Sequence, residues 1–413
     1  MAAVTVATRP RAVKRGRVAA SVLFLLYGVI LGSWTSRIPA VKQGLGLSDG
    51  QLSLALLAFA AGAIVGMQAV GRLVDRYGSA RVMLPAALVD GAILLAPAFA
   101  PNLPLLVVAL FGFGAVHGTL NVAMNANAVE VQTAWQRPII SSFHAIYSIG
   151  GFIGSAVGGL FARGGLGPSA TFASVTALVV LGVGWSSQWA YATPPRTSRE
   201  ADTVAQAAAP TAASTNSARR LDMFRSSTVL FLGALAFCCL VGEGAAADWS
   251  AVYLRDDLHT SPAFAASAYS AFAIAMTAGR LVGDRVTAAL GPVRLVRGCG
   301  VLASVGLGVA LLIGAPVAGV LGFACLGLGL SCIVPQVFSA AGTRDPARAG
   351  EAIARVAGLG FLGFVVGPIV IGGLAEIVGL PAALATPVVL VLAVALAAPA
   401  LRPARIAATT LGE

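Results

Sequence analysis

Long apolar runs cut by short charged knots set the pattern of this chain. A helix needs roughly 20 apolar residues to cross a bilayer. Runs of that length fall near 18–38, 51–71, 82–100, 104–127, 138–161 and 168–190, and again near 227–250, 262–282, 295–313, 316–340, 352–374 and 379–400. The pattern predicts twelve transmembrane helices, six in each half.

One knot occurs twice. Gly71-Arg72-Leu73-Val74-Asp75-Arg76 returns 208 residues later as Gly279-Arg280-Leu281-Val282-Gly283-Asp284-Arg285. A charged link repeated at half-length predicts two similar membrane-embedded halves laid end to end. The expected fold is therefore an all-α integral membrane protein with two pseudo-symmetric six-helix bundles, 1–190 and 227–413. Between them, residues 191–226 are rich in Ala, Thr, Ser and Pro. They read as a flexible linker without a core of its own.

Composition agrees: 58% of residues are hydrophobic and only 10% charged, against about 25% charged in soluble domains. Charge also orients the spans. Of the 27 Lys and Arg, only Arg37, Lys42, Arg163 and Arg255 fall in segments on the side opposite the N-terminus. Lys/Arg excess marks the cytoplasmic side, so both termini and the linker are expected in the cytoplasm of a cell whose plasma or inner membrane holds the protein. The net charge of +11 follows from those loops and implies lipid headgroups as partners. Nucleic acid is not an expected partner, because the basic residues are scattered and lack interleaved aromatics. The five cysteines all lie in predicted spans without metal-ligand spacing and read as packing residues. The basic stretch before Val18 could pass for a signal peptide, but Tyr27, Trp34 and eleven further spans favour an uncleaved first helix.

Polar residues inside such spans cost about 2.5–3.5 kcal/mol when ionisable and are the candidate chemistry. His117, Asn121 and Asn125 recur at i, i+4 and i+8 on one face of helix 4, beside Gly114 and Gly118. Amides donate and accept, which suits hydroxyl-rich ligands; helix–helix hydrogen bonding is the alternative. His144, Tyr147 and Gly151 share a face of helix 5. Tyr147 and Trp34 join the helix-4 residues in the expected solute-binding set. For proton coupling the candidates are Glu243, deep in helix 7 between Gly242 and Gly244, His144 and Asp90, although Asp90 has no polar neighbour at helical spacing on its own helix. Arg37 and Asp248, near the external ends of helices 1 and 7, are candidates for an external gate or for interfacial anchoring. In the repeated knots, Gly71, Arg72, Asp75, Arg76, Gly279, Arg280, Asp284 and Arg285 form an expected conformational latch, with each aspartate near the positive end of a neighbouring helix.

The first knot, Gly71-x-Leu73-x-Asp75-Arg76-x-Gly78, resembles the loop 2–3 signature of the major facilitator superfamily. Arg81 stands one place late for its basic pair. Four segments narrow the resemblance to the MosC/YbjJ-like branch, distantly similar to fucose permeases: Ser33-Trp34-Thr35-Ser36-Arg37-Ile38-Pro39, Asn121-Val122-Ala123-Met124-Asn125, Phe143-His144-Ala145-Ile146-Tyr147-Ser148 and Glu243-Gly244-Ala245-Ala246-Ala247-Asp248-Trp249. The resemblance implies a monomeric secondary transporter of a small sugar-like or polyol-like solute. Members of the branch often carry an acid where Asn121 stands; the amide here departs from that pattern and cannot exchange a proton.

The alternative within transport is a metabolite or drug exporter working as a proton antiporter. Gly150-x-x-x-Gly154-Ser155 resembles the helix-5 signature of drug antiporters, but their helix-4 arginine pattern is absent. A membrane enzyme is not expected, since His117, His144 and His259 lie on separate segments. A non-transporting sensor would carry a folded soluble module. No cofactor or metal is expected, and no nucleotide-binding loop appears.

Overall fold

The computed structural model describes residues 10–191, 215–344 and 346–402. Most of the 191–226 linker (192–214) lies outside them. Among the described residues, eleven helices are long and apolar enough to span a membrane. One of them, Phe264–Ile313, holds two spans: Gly291 takes φ 75° and ψ 162° and Pro292 follows, which breaks the helix. Twelve spans result, and the fold is that of two six-helix halves. They are α1 (Arg11–Gly44), α2 (Gly50–Tyr77), α3 (Ser79–Phe99), α4 (Leu103–Trp135), α5 (Ile140–Arg163), α6 (Pro168–Ser187), α7 (Ser227–Asp257), α8 (262–290), α9 (292–313), α10 (Pro316–Arg344), α11 (Ala349–Val378) and α12 (Leu380–Leu401).

Local chemistry explains several boundaries. Ser48 and Gln51 close a capping box at the start of α2, satisfying backbone donors that the first turn leaves free. Gly78 ends α2 and begins α3 at φ 89°, a backbone that side chains with a Cβ rarely adopt. The structure extends α8 eight residues beyond the predicted span. The polar residues Arg285 and Thr287 continue the helix rather than forming a loop, because only Gly291 and Pro292 break it.

Packing repeats between the halves. In the first, α1 lies against α5 and α2 against α4; in the second, α7 lies against α11 and α8 against α10. The α2–α4 approach is so close that a Cβ on Gly114 would sit 2.0 Å from the Phe59 carbonyl oxygen. Small residues permit this backbone contact where lipid supplies no hydrophobic drive.

The halves meet through α2 with α11 and through α8 with α5, a pair of contacts related by the same repeat. The hydrogen bonds that cross between them involve residues 68–75 of α2, 132 of α4, 141–148 of α5, 280–284 of α8, 339 of α10 and 350–354 of α11. Nearly all of these lie toward the ends that carry the repeated knots. The molecule is thus closed at the knot-bearing end.

Candidate functional site: a polar chain across the halves and the gate beneath it

The gate is built from two helices that lack caps of their own. Helix α5 begins after Ile139 and α11 after Arg348, and neither residue caps the helix with its side chain. The other half supplies the missing acceptor. Asp284 Oδ1 accepts from the Ser141 amide at 2.9 Å and its Oδ2 from the Ser142 amide at 3.1 Å. Asp75 Oδ1 accepts from the Gly350 amide at 2.7 Å and its Oδ2 from the Glu351 amide at 3.0 Å. A carboxylate at a helix N-terminus satisfies free amides and meets the positive end of the helix dipole. Each half therefore caps one helix of the other. Small residues make room, since Gly71 packs on Glu351 and Gly283 on Ser141.

The arginines of the two knots diverge. Arg72 is exposed and pairs with Glu351 at 3.3 Å, a contact that solvent screens. Arg76 lies over the Tyr77 ring and Arg285 is exposed. Arg280 is buried at 7% exposure, and its Nη1 donates to Ser148 Oγ at 2.7 Å. It sits one turn deeper than Asp284 and belongs to the interior as much as to the latch.

Above the gate a polar and aromatic chain runs from α3 through α4 and α1 to α5, and polar residues of the second half approach it. It starts at Asp90 of α3, whose Oδ2 lies 2.9 Å from His117 Nδ1, with both side chains buried. Tyr27 of α1 stacks on the His117 ring at 3.8 Å between centroids and 11° between planes. Its hydroxyl accepts from Asn121 Nδ2 at 3.2 Å. Tyr147 of α5 lies 5.5 Å from the Tyr27 ring. Glu243 of α7, with Tyr269 and Arg280 of α8, lies within Coulombic reach of Tyr147. Carboxylates, an amide, phenols and a guanidinium from six helices of both halves thus converge. Such a set can bind hydroxyls through paired donors and acceptors.

The structure divides the predicted site residues. Asn121, Tyr147 and Glu243 are partly exposed members of the chain. His117 is 3% exposed, held by Asp90 and enclosed by Tyr27, Phe59 and Phe113. Asp90 finds its partner on the next helix rather than its own. Asn125 is buried, and its Nδ2 donates to the Asn121 carbonyl at 2.8 Å, so it braces α4 rather than lining an opening. Trp34 is packed between Phe113 and Phe172 and belongs to the core, because helix α6 covers that face of α1. His144 stacks on Phe338 across the halves and touches the Phe24 ring, with Nε2 unpartnered among the described residues. Arg37 is 3% exposed and its guanidinium donates to the carbonyls of Gly158 at 3.3 Å and of Leu166. That clamp ties α1 to the end of α5 and the turn after it. Asp248 is exposed near the far end of α7, beside Tyr269.

Three members of the chain were not expected from the sequence: Tyr27, Tyr269 and the interior part of Arg280. Tyr27 stands in an otherwise apolar run seven residues before Trp34, so it was accessible as a lone polar tip on α1. Tyr269 carried no distinguishing spacing.

Comparison with known proteins agrees over nearly the whole chain. The family model for the Major Facilitator Superfamily matches residues 19–350 and 245–410. An uncharacterized MFS-type transporter of Yersinia pestis is 33% identical over 399 residues, covering 92% of this chain and 94% of that protein. Membrane protein MosC of Rhizobium meliloti is 31% identical over 361 residues, covering 87% and 84%. Among solved structures, FucP in the outward conformation superposes with a TM-score of 0.76 at 15% identity, over 93% of this chain and 98% of that one. The proton:xylose symporter XylE superposes at 0.69 with 14% identity, over 94% and 95%.

Proposed function

We propose that this chain, which belongs to the major facilitator superfamily and is a secondary transporter rather than an enzyme, carries a small sugar-like or polyol-like solute by proton-coupled alternating access. The observation that carries the proposal is the chain of Asn121, Tyr27, Tyr147, Tyr269, Glu243 and Arg280 at the seam of two halves that hydrogen-bond to each other mostly at the knot-bearing end. Hydroxyls on a solute offer both donors and acceptors, and this set pairs with them without demanding a net charge. The relatives of similar fold that are named as symporters of fucose or xylose with protons support the same solute class.

In this reading the knot-bearing end faces the cytoplasm, both termini and the 191–226 linker lie there, and the halves 1–190 and 227–413 rock about the seam as a monomer. Cysteines introduced singly at Ser198 and Ser261 test the orientation. Impermeant thiol reagents added to whole cells are expected to label position 261 and spare position 198; the reverse pattern would invert the topology.

Solute binding is tested by screening sugars and polyols for ligand-induced stabilisation of purified protein. Asn121→Ala removes a donor that reaches Tyr27 and faces the seam. It is expected to weaken binding of the best solute by about tenfold, the value of one to two hydrogen bonds in a poorly hydrated site. Asn125→Ala serves as the comparison, and by its buried position is expected to lower stability more than affinity. Equal affinities in Asn121→Ala and the parent protein would remove α4 from the binding site.

A further inference from the structure

A cavity lies on the gate side of the molecule, apart from the polar chain. It encloses about 300 Å³, within the lower range of small-ligand pockets at roughly 300–1,000 Å³. The end of α4 and the turn after it contribute Gln132, Arg137 and Pro138; the second half contributes Pro292, Ser339 and Thr343, among others. The walls therefore belong to both halves. Gln132 Nε2 donates to Ser339 Oγ at 2.7 Å and ties them together at this point. On its deep side, Gln336 Nε2 donates to Thr287 Oγ1 at 3.0 Å.

The lining chemistry selects a ligand class. Among the described residues, Arg137 is the one charged side chain that lines the cavity, and it is exposed. Amides and hydroxyls make up most of the remaining side chains, with the carbon faces of Pro138 and Pro292 between them. Such a pocket fits a compact anion bearing several hydroxyls, with its charged group on the guanidinium. Gln136, the residue before Arg137, is held at φ 57°. That left-handed turn ends α4 and sets the path of the chain into Arg137.

We propose that this cavity is a regulatory site for a hydroxylated organic anion, such as a polyol bearing one phosphate or carboxylate. Because its walls come from both halves, it exists only while the gate is closed. A ligand that binds one conformation and not the other shifts the population toward the first. Occupancy from the gate side therefore holds the transporter closed there and slows its cycle without competing for the transported solute. The site is independent of the identity of that solute.

The test uses glucose 6-phosphate and gluconate as probes, with sorbitol and inorganic phosphate as controls, on the full-length protein in detergent and in proteoliposomes. Either organic anion is expected to raise the thermal unfolding midpoint and to protect a cysteine placed at Ser142 from labelling. Arg137→Gln is expected to weaken that effect by about tenfold, since a hydrogen bond to a charged group is lost, while uninhibited transport stays unchanged. Thr343→Val is expected to weaken it less. Three results would overturn the proposal: no stabilisation by either anion, equal stabilisation by inorganic phosphate alone, or an unaltered response in Arg137→Gln. Inhibition that is competitive with the transported solute would equally place the anion in the central site.

Discussion

Glu243→Gln is expected to abolish pH-driven solute accumulation while leaving solute exchange across the membrane intact. Net coupled transport needs a proton to bind on one side and leave on the other. Exchange needs only the loaded carrier to reorient. Glu243 suits the coupling role because it is partly exposed and faces, across the seam, the same tyrosine as the buried cation Arg280. Arg280 donates to Ser148 across the halves, one turn above the gate, so a change of charge at Glu243 would act on a residue that bridges them. The amide keeps the size and can hydrogen-bond but cannot take up or release a proton. The loss is expected to be complete within the sensitivity of a flux assay, with exchange rates within about threefold of the parent protein. Retained pH-driven accumulation would move the coupling group to the buried Asp90–His117 pair, where a carboxylate meets an imidazole inside the membrane. Asp90→Asn would then be the variant to measure. Its interpretation needs a folding control, because breaking a buried pair costs about 3–5 kcal/mol.

The second large effect belongs to the gate. Asp284→Ala removes two charge-assisted hydrogen bonds that exist only when α8 meets α5, and Asp75→Ala removes their counterparts between α2 and α11. Hydrogen bonds to charged groups contribute about 1.5–3 kcal/mol each when shielded and less in water. Asp284 is the less exposed of the two carboxylates, so its loss is expected to matter more. We expect Asp284→Ala to shift the closed-to-open ratio at the gate by about a hundredfold and Asp75→Ala by about tenfold. Distances between spin labels on Ser142 and Arg285 report the shift directly. Solute affinity should change far less than turnover, since neither aspartate touches the polar chain. Parallel loss of binding and flux in both variants would show that the aspartates hold the fold together rather than bias its states.

Much of this architecture was readable because its signals are local. Twelve spans, the repeat and the glycine at the α2–α3 turn follow from apolar run length and the 208-residue offset. The placement of an aspartate at a helix N-terminus was also legible as a type of contact. Which helix received it was not, because Ile139 and Arg348 give no sign that the helices after them are capped from the other half. The boundary of α8 was missed for a similar reason: a polar helical extension outside the apolar core looks like a loop to a hydropathy reading.

The site was legible only in part. Helical spacing put His117, Asn121 and Asn125 on one stripe, yet spacing cannot say which neighbour covers each turn of it. Asp90 on α3 and Tyr27 on α1 cover His117, Asn125 turns back onto its own helix, and only Asn121 stays open toward the seam. Arg37 shows the same limit. A charged residue near a predicted external end looks like a gate or an anchor until the carbonyls of Gly158 and Leu166 are found around it. Trp34 was read from motif context, and α6, packed over it in space, makes it core.

The most direct test of the central claim is flux of labelled sugars and polyols into proteoliposomes under an imposed pH gradient, with and without a protonophore. The account expects at least one such solute to accumulate saturably above its equilibrium level, to lose that accumulation when the protonophore is added, and to retain counterflow. Absence of saturable flux for every sugar and polyol, with gradient-driven movement of lipophilic drugs instead, would contradict it.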